Sequence, residues 1–97
     1  MKQLTIFCGR DLEGRVITAL DHAGIEGFFK PASSTGNRFL PQGEVPRTMT
    51  WDATMFVVPA AEESRVEVVL NELREHADSC EIEPCLRAVV SPVDRAL

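Results

Sequence analysis

The chain has 97 residues, room for one domain with a single core and modest net stability. Hydrophobic residues at 44% and charged residues at 26% describe a globular chain rather than a disordered one. Ten basic against fifteen acidic residues give a net charge of −5, which argues against a nucleic-acid binder that works by neutralising phosphates. No apolar run approaches the roughly 18 residues that cross a bilayer. No signal-peptide pattern is visible at Met1-Lys2-Gln3-Leu4, so the expected location is cytoplasmic. Three cysteines are odd in number and too few for a disulfide framework.

Leu4 to Cys8 alternates and is β-branched and aromatic, which predicts a first strand, turned by Gly9-Arg10. Asp11 is the expected N-cap of a helix, with Glu13 facing the positive end of the helix dipole. Leu12, Val16, Ala19, Leu20 and Ala23 recur at helical spacing and form one apolar face. Gly24 is the expected stop, as the C′ residue. Ile25 to Lys30 predicts a second strand, with Gly27 at a bulge or a close backbone approach. Ser33 to Arg47 carries Gly36, Pro41, Gly43 and Pro46 and keeps no period, so it predicts a long loop of the kind that usually has a function. Thr48 to Val58 predicts a third strand, broken by Pro59. Glu62 and Glu63 open a second helix whose buried face is Val66, Val69, Leu70, Leu73 and Ala77. Ile82 and then Leu86 to Val90 predict the fourth strand, ended by Pro92.

The order βαββαβ in a single domain, residues 1–97, predicts an α+β ferredoxin-like sandwich, with both helices on one face of a four-stranded sheet. Leu4, Ile6, Phe28, Phe56, Val58, Ala88 and Val90 are read as too many apolar strand positions to lie under two helices. An apolar free face expects a partner, so an oligomer packed sheet to sheet is predicted.

His76-x-x-x-Cys80, with Cys85 within loop reach, places three zinc- or copper-type ligands close in sequence, and Cys80 with Cys85 is also a candidate redox pair. The default for each cysteine, Cys8 included, is a small buried hydrophobe. His22 and His76 near helix C-termini complement the dipole without further role. Trp51 can stack on a planar ring, but packing is the stronger reading. No spacing brings a nucleophile to a base, and the acids of the second helix follow a solvated face, so an enzyme is not expected.

Val16-x-x-Ala19-Leu20-x-x-Ala23-Gly24-Ile25-x-Gly27 resembles the end of the first helix and the start of the second strand of PII-like signalling proteins. The polar loop at 33–47 then stands where that family has its T-loop, and the remainder has the length and order of a PII subunit. The resemblance implies a homotrimer with its sheets lining a central axis. It implies adenine nucleotides in the clefts between subunits, and a T-loop that engages a partner such as a membrane transporter. Gly27 and Phe28 would line the adenine cleft, Gly36 would offer backbone N–H groups to phosphate, and Lys30, Arg38, Arg47 and Arg95 are the available cations. The family also places two arginines late in or just after the fourth strand, where this chain has Arg87 early and Arg95 late. The family's Gly- and Lys-rich phosphate loop reads here Asp78-Ser79-Cys80-Glu81-Ile82-Glu83-Pro84, without Lys or Gly, which moves the expected ligand from ATP to ADP or AMP. With no Tyr in the chain, the family's uridylylation site has no counterpart. Short PII-like proteins linked to bicarbonate uptake and carboxysomes resemble this pattern, which implies bicarbonate as a co-ligand. The alternative is a metal-responsive trimer of the CutA-like kind, with the same fold, holding Cu or Zn through His76, Cys80 and Cys85.

Overall fold

The structure, a computed structural model, describes residues 1–31, 33–41, 43–78 and 86–97. The chain runs through β1 (Lys2–Gly9), one 3₁₀ turn (Arg10–Leu12), α1 (Glu13–His22), β2 (Ser34–Phe39), β3 (Thr48–Ala61), α2 (Glu63–Asp78) and β4 (Leu86–Pro92). The strands form one antiparallel sheet in the order β2-β3-β1-β4. With α1 and α2 packed on one face, this is the expected ferredoxin-like sandwich.

The core follows from the alternation of the two central strands. Leu4, Ile6 and Cys8 of β1 face the helices, and the register sets them opposite Val58, Phe56 and Thr54 of β3. Val16, Ala19 and Leu20 from α1 and Val66, Val69 and Leu73 from α2 close over them. Phe28 packs edge-on against Phe56, with ring centroids 5.3 Å apart. Helix α1 ends as the sequence predicts. Gly24 takes a left-handed φ of +75°, its N–H donates to the Asp21 carbonyl, and the Ile25 N–H donates to Leu20. The Arg65 guanidinium, one helix away, donates to the Ala23 and Gly24 carbonyls and so covers the exposed end of α1.

Four expectations need correction. Asp11 does not cap α1: it lies inside the 3₁₀ turn, and Leu12 precedes the helix without a side-chain cap. Ile25 to Lys30 is not a strand. Only Phe29 pairs, through a single bridge to Val57, because Pro31 has no N–H and restricts Lys30 before it. The second strand lies instead within the predicted loop, at Ser34–Phe39, and β3 does not break at Pro59 but continues to Ala61. The register slips there, from Leu4 opposite Val58 to Lys2 opposite Ala61, so Pro59 sits where one extra residue bulges out of the ladder. The fourth strand begins at Leu86; Ile82 lies outside the described residues.

The apolar strand positions expected to be too many for the helix side do not divide between the two faces. Leu4, Ile6, Phe56 and Val58 all face the helices, as their pairing shows, and Ala88 and Val90 share that parity opposite Ile6 and Leu4. The free face is the alternate set, in which Thr5 stands between Val57 and Val89, and Phe7 between Met55 and Arg87. Phe7 is 44% exposed and Val89 54%, so this face does carry apolar side chains without cover.

β1 ends at Gly9, opposite Ala53. Thr48 to Asp52 therefore pair only with Thr35 to Phe39, and this two-stranded arm projects beyond the four-stranded sheet. Leu40 N–H donates to the Arg47 carbonyl and closes the arm near its tip. One side of the arm is polar, with the Thr50 hydroxyl on the Asn37 side-chain oxygen at 2.6 Å. The other side continues the free face of the sheet.

Candidate functional site

Where the arm leaves the sheet, the free face holds a groove of about 340 Å³ whose walls include Phe7, Gly36, Trp51, Met55 and Arg87. Strand register builds it. Gly36 stands opposite Trp51, and a Cβ on Gly36 would fall 2.3 Å from the indole Cε2, so the ring lies directly on the glycine backbone. Arg87 is brought beside Phe7 by the β1–β4 ladder, and its Nη1 donates to the Leu86 carbonyl at 3.0 Å. Aromatic and thioether walls with one guanidinium suit a planar ligand that carries negative charge. Gly36→Ala forces the indole off its seat. The expected loss is about 1–3 kcal/mol, read by urea unfolding, with a change in the emission of the chain's one tryptophan; unaltered emission would contradict the packing.

A second polar centre lies on the helix side. Glu13 of α1 and Lys30 of the segment after α1 form an ion pair, and Lys30 Nζ lies 5.8 Å from the centroid of the Phe56 ring. The Lys30 hydrogen bond, followed by its charge and by a hydrogen bond from Thr54, holds the Glu13 carboxyl below the usual range. Lys30 thus fastens the stretch between Gly24 and β2 to α1. Cys8 lies near this pair and is 2% exposed; burial, with help from Glu13 and Asp11, pushes its thiol up to about 11. At pH 7 the thiolate, the reactive form, is scarce. Cys8 is therefore expected to resist alkylation in the folded protein and to react in urea. Peptide mapping reads this, and rapid native labelling of Cys8 would contradict it.

The residues implied as nucleotide ligands do not converge within one chain. Gly36 and Arg87 share the sheet-face groove. Gly27 lies in another groove, of about 380 Å³, between the end of α1 and the start of α2, where Arg65 and Glu62 also stand; nothing lies within 4 Å of a Cβ built on it. Phe28 is committed to Phe56 and Lys30 to Glu13. Arg38 stands opposite Met49 in the arm, Arg47 is exposed near its tip, and Arg95 is exposed in the C-terminal tail. Of the metal set, His76 Nε2 accepts from Arg15 Nη1 at 3.3 Å; Cys80 and Cys85 lie outside the described residues. Among the described residues, no three His, Cys, Asp or Glu side chains are grouped to hold a metal. Sequence reasoning missed Phe7 and Met55 as groove walls. The available signal was Phe7 itself, a large apolar residue out of phase with Leu4, Ile6 and Cys8.

Among the described residues, no helix is long and apolar enough to cross a membrane. No protein-family model matches this sequence, and neither does any curated protein. Solved structures do match in fold. The complex of B. subtilis GlnK with ATP aligns with a TM-score of 0.72 at 9% identity, over 96% of this chain and 82% of that one. The apo form of CPII from Thiomonas intermedia K12, a nitrogen regulatory PII-like protein, aligns with a TM-score of 0.66 at 18% identity, over 93% and 85%. The chain therefore has the ferredoxin-like fold found in PII-like proteins.

Proposed function

We propose that the chain, as a single PII-like domain over residues 1–97, is a regulatory protein that works as a homotrimer packed through its free sheet faces. The observation that carries this reading is the continuity of the apolar sheet face with the groove and with one side of the projecting arm. The groove of Phe7, Gly36, Trp51, Met55 and Arg87 supplies one half of an inter-subunit cleft. A neighbour's segment with Gly27, Phe28 and Lys30 supplies the other. An adenine nucleotide bound there contacts the base of the arm, so the arm, residues 33–47, becomes the T-loop equivalent that controls a partner such as a transporter. Arg38, Arg47 and Arg95 are the cations proposed to meet the phosphates. The acidic reading of 78–84 favours ADP or AMP over ATP, with bicarbonate as a co-ligand in the manner of the carboxysome-associated branch. The GlnK neighbour's ATP supports the ligand class. The expected role is control, in the cytoplasm, rather than catalysis.

Limited proteolysis tests the coupling. ADP or AMP should slow cleavage within 33–47 while leaving cleavage of the C-terminal tail unchanged. Identical cleavage rates with and without nucleotide would overturn the proposed control through the arm.

A further inference from the structure

On the outer surface, away from the sheet face, α1 and α2 leave a groove of about 430 Å³ between them. We infer that this seam is a second small-molecule site, for a zwitterion of α-amino-acid size. Arg15, Thr18 and His22 recur at helical spacing along α1, Asp11 of the preceding 3₁₀ turn joins them at the groove wall, and Glu72 and His76 form the facing stripe on α2. The helices run antiparallel, so Arg15 meets His76 at 3.3 Å and His22 meets Glu72 at 2.8 Å.

The charges select the ligand class. An anion alone would meet Asp11 and Glu72, and a cation alone would meet Arg15. Glu72 is already engaged by His22 Nδ1, which leaves Asp11 to receive an ammonium group. The Arg15 fork, which in this state places one N–H on the imidazole of His76, is the natural partner of a carboxylate. A molecule that carries an ammonium and a carboxylate on one carbon, as an α-amino acid does, presents each charge to its opposite in the groove.

Gly14 provides an independent observation. It stands in the first turn of α1, on the wall of this groove, where glycine is a poor helix former. Its φ is not left-handed, and nothing lies within 4 Å of a Cβ built on it. Neither backbone conformation nor packing calls for glycine here. What the missing side chain does is leave the wall of the groove open.

The test is a titration of the full chain with each of the common amino acids, followed by thermal shift and by amide NMR. At least one amino acid should raise the melting temperature with concentration and move the amide signals of Gly14, Arg15, Thr18 and His76. Acetate and methylamine, which carry one charge each, should do neither. Arg15→Gln should abolish the response. Gly14→Met should abolish it too, while raising the melting temperature of the ligand-free protein, which separates loss of the site from loss of the fold. The inference is overturned if no amino acid perturbs the seam at millimolar concentration, if acetate does so equally well, or if the response survives Gly14→Met.

Discussion

Val89→Glu is expected to elute as a monomer at micromolar concentration, where the unaltered chain is expected to elute as the proposed trimer, with far-UV circular dichroism unchanged. Val89 lies on the free face of β4, opposite Thr5, and is 54% exposed in the single chain. A carboxylate there is solvated in the monomer, so the subunit fold has no reason to change. In a sheet-to-sheet contact the same carboxylate is stripped of water against apolar side chains. Removing an unpaired charge from water costs several kcal/mol, and a trimer would repeat that cost three times. Light scattering coupled to size exclusion decides the matter. A trimer that survives the substitution would place the subunit contact somewhere other than this face.

Phe56→Ala loses about 3–5 kcal/mol of unfolding free energy, a large part of what a domain of this size possesses. Phe56 is fully buried at the centre of the sheet, opposite Ile6. Its ring is also the surface on which Phe28 rests edge-on and over which Lys30 reaches. Truncation therefore leaves a cavity and also loosens the segment that leads from α1 to the arm. Phe56→Leu, which keeps most of the volume, should lose far less and allows the comparison if the alanine variant does not fold. Urea unfolding measures both. A loss below about 1 kcal/mol for the alanine variant would mean that the core is not organised around this residue.

Most of the helical layer was legible because period and burial coincide. Val16, Ala19 and Leu20, like Val66, Val69 and Leu73, recur at helical spacing and are the residues that close the core. Gly24 was legible because a left-handed C′ position has its own residue preference. β2 was not legible. All but one of its six residues are exposed, so no alternation marks them, and what makes them a strand is the excess length of β3, a 14-residue strand that runs past the end of β1 and offers them its edge.

The candidate site was legible only in pieces. Gly36 was singled out, but as a phosphate-facing loop residue, whereas the register seats it under Trp51. Lys30 was read as a cation for a ligand, and the fold first gives it to Glu13, 17 positions earlier in the chain. Such pairings depend on how α1 crosses the sheet, which no local pattern records. The sheet-face groove escaped for a related reason. Its walls come from four strands, and the phase of each had to be known before Phe7, Gly36, Met55 and Arg87 could be placed on one side.

The proposed control depends on an adenine nucleotide bound between subunits. It is tested by isothermal titration of the purified protein with AMP, ADP and ATP, each with and without bicarbonate. One site per chain for ADP or AMP is expected, with weaker binding of ATP and a marked loss of affinity in Gly36→Ala and Arg87→Gln. The absence of heat and of competition for all three nucleotides, with or without bicarbonate, would contradict it.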